Sequence, residues 1–322
     1  MSKNIDPIVI YNFNLFSNGI LTAIGLVGNT LVIYILLQPE FIKISMFRYL
    51  IAATIFDTWN LLLCWPSIFP DAFFVNQLSL SCKLYLYLFY IPFSASPWTF
   101  SLSSIDRYLS VKYPANKTKN KFKYQLLAII LVTISISLVY IPFYIYHDID
   151  TVNGTGCVPT SFLIEFYLDL LDTVVSTVIP FTIMIVSTCL ISYQLVTQKA
   201  KLQQNKKKFE KEMQLIKTLC IMDIYFLICN LPYCVLTVVD DLMGINYFGT
   251  FAFYVLNALT YVFSSCDFFV YLIFNKLFRK HFFSMISCCR KKEVTNQSAN
   301  TTSTSNYEYK RNKVAKTTST NL

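Results

Sequence analysis

Seven stretches of the chain carry almost no charge, and each is long enough to cross a layer of lipid tails. They fall near residues 18–38, 47–70, 80–108, 124–146, 169–196, 213–239 and 248–274. A helix needs about 20 apolar residues to span roughly 30 Å of hydrocarbon. Only helices and closed barrels satisfy their backbone polar groups there. The pattern predicts an all-α membrane protein, a bundle of seven transmembrane helices. The charged share of the chain, 14%, agrees, because a soluble domain carries about 25%.

Direction follows from the basic residues, which resist translocation and collect in cytoplasmic loops. With the N-terminus outside, only Lys3 and Lys83 of the 27 Lys and Arg fall on the outer side. The loop at 111–123 holds Lys112, Lys117, Lys119, Lys121 and Lys123, and the loop at 197–211 holds Lys199, Lys201, Lys206, Lys207, Lys208 and Lys211. Nine acids fall outside: Asp6, Asp71, Asp148, Asp150, Glu165, Asp169, Asp172, Asp240 and Asp241. Three regions are expected: an extracellular N-terminus over 1–17, a membrane domain over 18–289 and a cytoplasmic tail over 290–322. The tail, rich in Ser, Thr and Asn, is expected to be disordered. No cleaved signal peptide is apparent, so the first span would serve as the insertion signal. The formal charge of +9 would suit a nucleic acid only if the basic residues clustered on a folded soluble face. They lie between oily segments, and no nucleic-acid partner is expected.

The ten cysteines have no metal-ligand spacing, and the two histidines, His147 and His281, are far apart, which argues against a zinc site. The topology leaves Cys82 and Cys157 as the two outer cysteines. Thiols in an oxidising compartment are expected to pair; the alternative is two separate free cysteines. No nucleophile, base and orienting group occur together, so an enzyme is not expected. The absence of an internal repeat weakens an inverted-repeat transporter.

Asp106-Arg107-Tyr108 at the inner end of the third span resembles the signature of the rhodopsin-like family of G protein-coupled receptors. Gly28-Asn29 is similar to the family's first-span motif and Asp57 to its second-span acid. Cys82 stands 25 residues before Arg107, the family's interval for the bridging cysteine. Pro180 matches the fifth-span proline, and "FLICNLPY" carries Phe226, Cys229 and Pro232 of the sixth. "DFFVY", ending at Tyr271, stands where the family has Asn/Asp-Pro-x-x-Tyr. "FNKLFRKHF" resembles the amphipathic eighth helix. The resemblance covers about 18 to 289. Departures are Asn230 in place of the sixth-span Trp, Phe268 in place of the seventh-span Pro, Thr188 in place of the inner tyrosine of span five, and a fourth span without Trp. Pro92 and Pro97 in span three invite kinks.

The resemblance implies a plasma-membrane receptor that binds an extracellular ligand and activates a heterotrimeric G protein. It implies that Arg107 pairs with Asp106 and with Glu212, 20 residues before Pro232, in the resting state, and that Tyr271 is a second inner switch. The bland alternatives are a surface ion pair worth up to roughly 1 kcal/mol and an interface aromatic. It further implies a polar network of Asn29, Asp57, Ser96 and Asp267 around a sodium ion or a shared proton, since paired carboxylates raise one another's pKa. Plain interhelical hydrogen bonds of about 1 kcal/mol are the alternative. Beyond that ion, no cofactor is expected. Pro180, Phe226, Asn230 and Pro232 would transmit the signal. Asp223 in span six matches no position of the family.

Cys288 and Cys289 beside Arg290-Lys291-Lys292 read as palmitoylation sites next to a basic patch on the inner leaflet, or as free thiols. Asn153-Gly154-Thr155 is the outer glycosylation sequon. The Ser/Thr tail suits a receptor kinase and arrestin. Tyr261 stands where an opsin carries its retinal lysine, and Phe89 where amine receptors carry an acid, so neither ligand is expected. An acidic outer face favours a basic peptide, with Phe89, Tyr90, Tyr233, Asp240, Asp241 and Tyr261 as pocket candidates. Retention of basic residues inside explains the same acidity without any ligand. A receptor that binds without signalling, or a transporter or channel, are the competing readings.

Overall fold

The computed structural model describes residues 7–65, 78–113, 121–150, 156–197, 206–243 and 250–287. Seven long helices are found among them. They are α1 (Pro7–Leu36), α2 (Ser45–Leu63), α3 (Ser79–Lys112), α4 (Lys121–Val139), α5 (Phe162–Thr197), α6 (Lys206–Met243) and α7 (Phe251–Phe274). A turn of helix at Pro39–Ile42 joins α1 to α2. After a break at Tyr140, where Pro142 starts a new first turn, Ile141–Tyr146 continues the path of α4. Residues 276–287 form a further helix, α8, within a second compact unit that begins at Lys276.

Five helices, α1 and α4 to α7, are long and apolar enough to cross a membrane by length and composition. α2 and α3 fall below that level because their polar residues point inward. α2 buries Thr54, Asp57 and Asn60, and α3 buries Ser94, Ser96, Thr99, Ser101, Ser103, Ser104 and Arg107. Mean hydropathy counts those groups against lipid although lipid never meets them. α4 shows the converse: it exposes Leu126, Leu127, Ile130, Leu131, Ile134 and Leu138, a stripe that in water would be an adhesive patch. Hydroxyls in this environment need internal partners. Thr54, Thr99, Thr133 and Ser137 each donate to the carbonyl four residues earlier.

α3 is the central post, packed against α2, α4, α5 and both strands of a small hairpin. α1 packs most extensively on α7, and α6 also packs on α7. The α1–α7 approach depends on Gly28, where an added Cβ would stand 3.1 Å from Phe268 Cβ. That gap lets the neighbouring Asn29 reach α7.

The hairpin pairs β1 (His147–Asp150) antiparallel to β2 (Gly156–Pro159), with Ile149 opposite Cys157. Cys157 is disulfide-bonded to Cys82 at the start of α3, across a sequence separation of 75. In the chain-entropy account, closing a loop of that size contributes about 4 kcal/mol. Lys83 adds an ion pair to Asp148 at 3.3 Å. Asp148 is held below the usual carboxylate range, first by the Ser79 hydroxyl.

Three helix starts run well ahead of the hydropathy boundaries, α6 among them at Lys206. α1 begins at Pro7, so residues 7–17 extend the first helix. α5 begins at Phe162 and passes through a π-helical turn at Thr173–Val178. Glu165, Asp169 and Asp172, counted above among the outer acids, therefore ride on helix α5. Charge at one end of a helix sets the limit of lipid contact without ending the helix itself.

Candidate functional site

At one end of the bundle, Arg107 is 6% exposed. Its Nη1 donates to Glu212 Oε2 at 2.9 Å, joining α3 to α6. The expected partnership with Asp106 is absent. Adjacent residues on a helix project about 100° apart, so Asp106 faces α2 and α4 while Arg107 faces α6. Asp106 accepts from Ser45 Oγ and, at 3.3 Å, from Gln125 Nε2. Gln125 Oε1 in turn accepts from Arg48 Nε at 2.5 Å. Tyr108 turns to the surface, where Lys112 Nζ donates to its hydroxyl at 3.0 Å.

Midway along the bundle, Asn29 Nδ2 donates to Thr58 Oγ1 at 3.2 Å and to the Ser264 carbonyl at 3.1 Å, tying α1, α2 and α7 together. Asn60 Nδ2 reaches Ser264 Oγ at 3.4 Å. Asp57 and Asp267, each 1% exposed, act electrostatically on one another. The Ser96 and Ser264 hydroxyls face the Asp57 carboxylate without closing strict hydrogen-bond geometry on it. Asp57 Oδ2, both oxygens of Asp267, Asn29 Oδ1, Asn60 Oδ1 and Ser96 Oγ have no hydrogen-bond partner among the described residues. Six buried oxygens on four helices thus lack a hydrogen-bond partner, with Asn29, Asp57 and Asn60 linked through Ser264, a donor set that fits a small hard cation or a bridging proton. Tyr271, one helical turn beyond Asp267, is 1% exposed.

At the other end lies a cavity of about 40 Å³ lined by Phe89, Tyr90, Phe93, Asp169, Asp172, Thr173, Tyr233, Cys234, Thr237, Asn257, Thr260 and Tyr261. That is room for about three waters, enough for the tip of one side chain. Four of the sequence candidates, Phe89, Tyr90, Tyr233 and Tyr261, meet here. Asp240 is not among the lining residues, and the side chain of Asp241 lies outside the described residues. The acids on the wall are instead Asp169 and Asp172. Tyr140 OH donates to Asp172 Oδ1 at 2.6 Å and, with its single proton so used, accepts from Ser94 Oγ. Tyr261, 3% exposed, brings a hydroxyl to the same wall.

Between the two ends runs an aromatic seam. Phe226 of α6 meets Phe263 of α7 edge-on at 5.3 Å, and Phe100 of α3 meets the same ring at 5.6 Å. Pro180 has its carbonyl taken by Ser101 Oγ at 3.0 Å. Asn230, in the place of an aromatic, returns its amide to Phe226 O at 3.0 Å and braces α6 just before Pro232.

Sequence reasoning passed over Thr58, Asn60 and Ser264, although polar residues on otherwise apolar spans are the signal that finds them. It counted Asp169 and Asp172 as outer acids at the start of the fifth span and did not bring them to the pocket. Asn153, Cys288, Cys289 and the tail from 290 lie outside the described residues. No group of three or more His, Cys, Asp or Glu able to hold a metal occurs among the described residues.

A family model described as "7 transmembrane receptor (rhodopsin family)" matches residues 28–271. Galanin receptor 2b of Danio rerio is 27% identical over 308 residues, covering 92% of this chain and 80% of that protein. Galanin receptor 2a of Danio rerio is 25% identical over 224 residues, covering 67% and 61%.

Proposed function

Because the chain belongs to the rhodopsin family of seven-transmembrane receptors, we propose that it takes a cationic peptide at the Asp169–Asp172 cavity and signals through the Arg107–Glu212 ion pair to a heterotrimeric G protein. It is a multi-pass membrane receptor of the cell surface and not an enzyme. Similarity to two galanin receptors supports a peptide ligand. The N-terminus and the cavity face outward and the Arg107 end faces the cytoplasm, a direction supported by the 27 Lys and Arg of the sequence, nearly all gathered at that end.

One observation carries the reading: α6 lines the cavity with Tyr233 and, about 32 Å along the same helix, holds Arg107 through Glu212. A ligand that prefers one setting of α6 thereby biases the ion pair, which is the coupling between distinct sites that allostery requires. Arg107, released from Glu212, offers a fixed fork of donors to a partner's carbonyls or carboxylates. Asn29, Asp57, Ser96 and Asp267 would hold a sodium ion or a shared proton, which neutralises the facing carboxylates in the resting bundle. Phosphorylation of the Ser/Thr tail by a receptor kinase would recruit arrestin. Palmitate on Cys288 and Cys289, and the basic residues after them, would hold the tail at the inner leaflet; glycan on Asn153 would mark the outer face.

The test is nucleotide exchange on purified G protein by the receptor in nanodiscs, with galanin and with Arg- or Lys-containing amidated peptides as probes. Exchange that depends on peptide, and is lost in Arg107→Ala while peptide binding remains, is the expected result. Peptide-independent ion flux through liposomes holding this protein alone would instead favour a channel.

A further inference from the structure

Two residues left over from the activation path meet each other. Thr188 Oγ1 donates to Asp223 Oδ2 at 2.8 Å, linking α5 to α6. Both are buried, at 6% and 2% exposed. Elsewhere on α5, Thr182 and Ser192 return their protons to carbonyls of their own helix, Val178 O and Thr188 O. Thr188 crosses to the neighbouring helix instead. A buried carboxylate without such a donor is costly, so the hydroxyl and the acid depend on each other.

The position of Asp223 gives the contact a role. Glu212 and Asp223 are eleven residues apart, about three turns, and therefore lie on one stripe of α6 within roughly 20°. That stripe is held twice, to α3 at Glu212 and to α5 at Asp223. Pro232, inside the same helix, is the weak point about which its lower part can swing. Asp223 stands about 14 Å from it and Glu212 about 30 Å. A swing of about 10° would displace them by about 2 Å and about 5 Å on those lever arms, beyond the reach of either contact.

We propose that Thr188 and Asp223 form a second latch on α6, positioning residues that hold the helix closed together with the Arg107–Glu212 pair and so set how often the G protein site opens without ligand. The regulatory part rests on the function proposed above. The mechanical part does not.

The experiment uses the full chain in nanodiscs without ligand, with two readouts. Paired spin labels at Val196→Cys and Lys217→Cys, in a Cys189→Ser and Cys220→Ser background, report the separation of α5 and α6; nucleotide exchange on G protein reports opening. Thr188→Val removes only the hydroxyl and keeps the shape. It should lengthen the label distance by about 4 Å, the displacement of Lys217 on its lever arm of about 22 Å from Pro232, and raise ligand-free exchange about threefold to tenfold, the range for one lost buried hydrogen bond. Thr188→Ser should restore both values, and Asp223→Ala combined with Thr188→Val should do no more than Thr188→Val alone. An unchanged label distance in Thr188→Val overturns the latch. A changed distance with unchanged exchange, while Glu212→Gln raises exchange, overturns its regulatory role. A changed distance with no exchange from any form leaves the latch standing and removes the G protein reading.

Discussion

Arg107 closes an ion pair on Glu212, 105 positions away, and makes none with Asp106, the acid beside it in the chain. Asp106 serves α2 and α4 through Ser45 and Gln125. The two members of one short motif thus hold separate parts of the bundle, and their substitutions should separate as well.

Glu212→Gln should raise ligand-free nucleotide exchange about fivefold to thirtyfold. The arginine side chain is 7% exposed and its partner 21%, so the pair sits between an exposed one, worth up to about 1 kcal/mol, and a fully buried one, where losing a partner costs about 3–5 kcal/mol. Asp106→Asn keeps an acceptor for Ser45 and should change exchange less than about threefold. Equal effects from the two substitutions would contradict the division of labour.

Asp172→Asn should weaken an activating cationic peptide about tenfold to a hundredfold, the range for a lost charged hydrogen bond. Asp240→Asn combined with Asp241→Asn should slow association at low salt and leave dissociation unchanged, as rim charges do. Binding kinetics at two ionic strengths distinguish the wall of the cavity from its surroundings.

Sodium should raise the thermal unfolding midpoint of the detergent-purified protein in a saturable way, relative to equal concentrations of a large organic cation. The stabilisation is that of a ligand bound only by the folded state. Asp57→Asn should abolish the increment. A midpoint that ignores sodium, with a pH dependence that Asp57→Asn removes and His147→Gln does not, would assign a proton to Asp57 and Asp267 instead.

Burial lowers the pKa of His147, outweighing the favourable backbone contact at Phe143; its ring also stacks on Phe143 at 5.7 Å. The folded protein therefore binds this proton more weakly than the unfolded chain. The stabilisation is complete above the ordinary histidine value of about 6.5 and is lost as pH falls through the lowered one. The unfolding midpoint should drop between pH 7.5 and 5.5 by more in the parent than in His147→Gln.

The spans were legible because lipid exposure leaves a one-dimensional trace, a run without charge. Glu212 was legible through the family resemblance, which implies an acid at its interval before Pro232. Side-chain direction was not. That Asp106 and Arg107 diverge, or that Thr188 finds Asp223 rather than its own backbone, depends on how neighbouring helices are rotated, and hydropathy averages over rotation. The start of α5 was missed for a related reason. Asp169 and Asp172 read only as acids at the outer end of the fifth span, yet a polar cavity lets a helix carry carboxylates inward.

The π-helical turn at Thr173–Val178 sets the phase between the two ends of α5. It carries a surplus residue relative to an ordinary helix, and one residue corresponds to about 100° of rotation. Shortening it by one position would leave Thr188 seated against α6 and turn Asp169 and Asp172 away from Tyr233, uncoupling the mouth of the protein from its floor with every side chain still present.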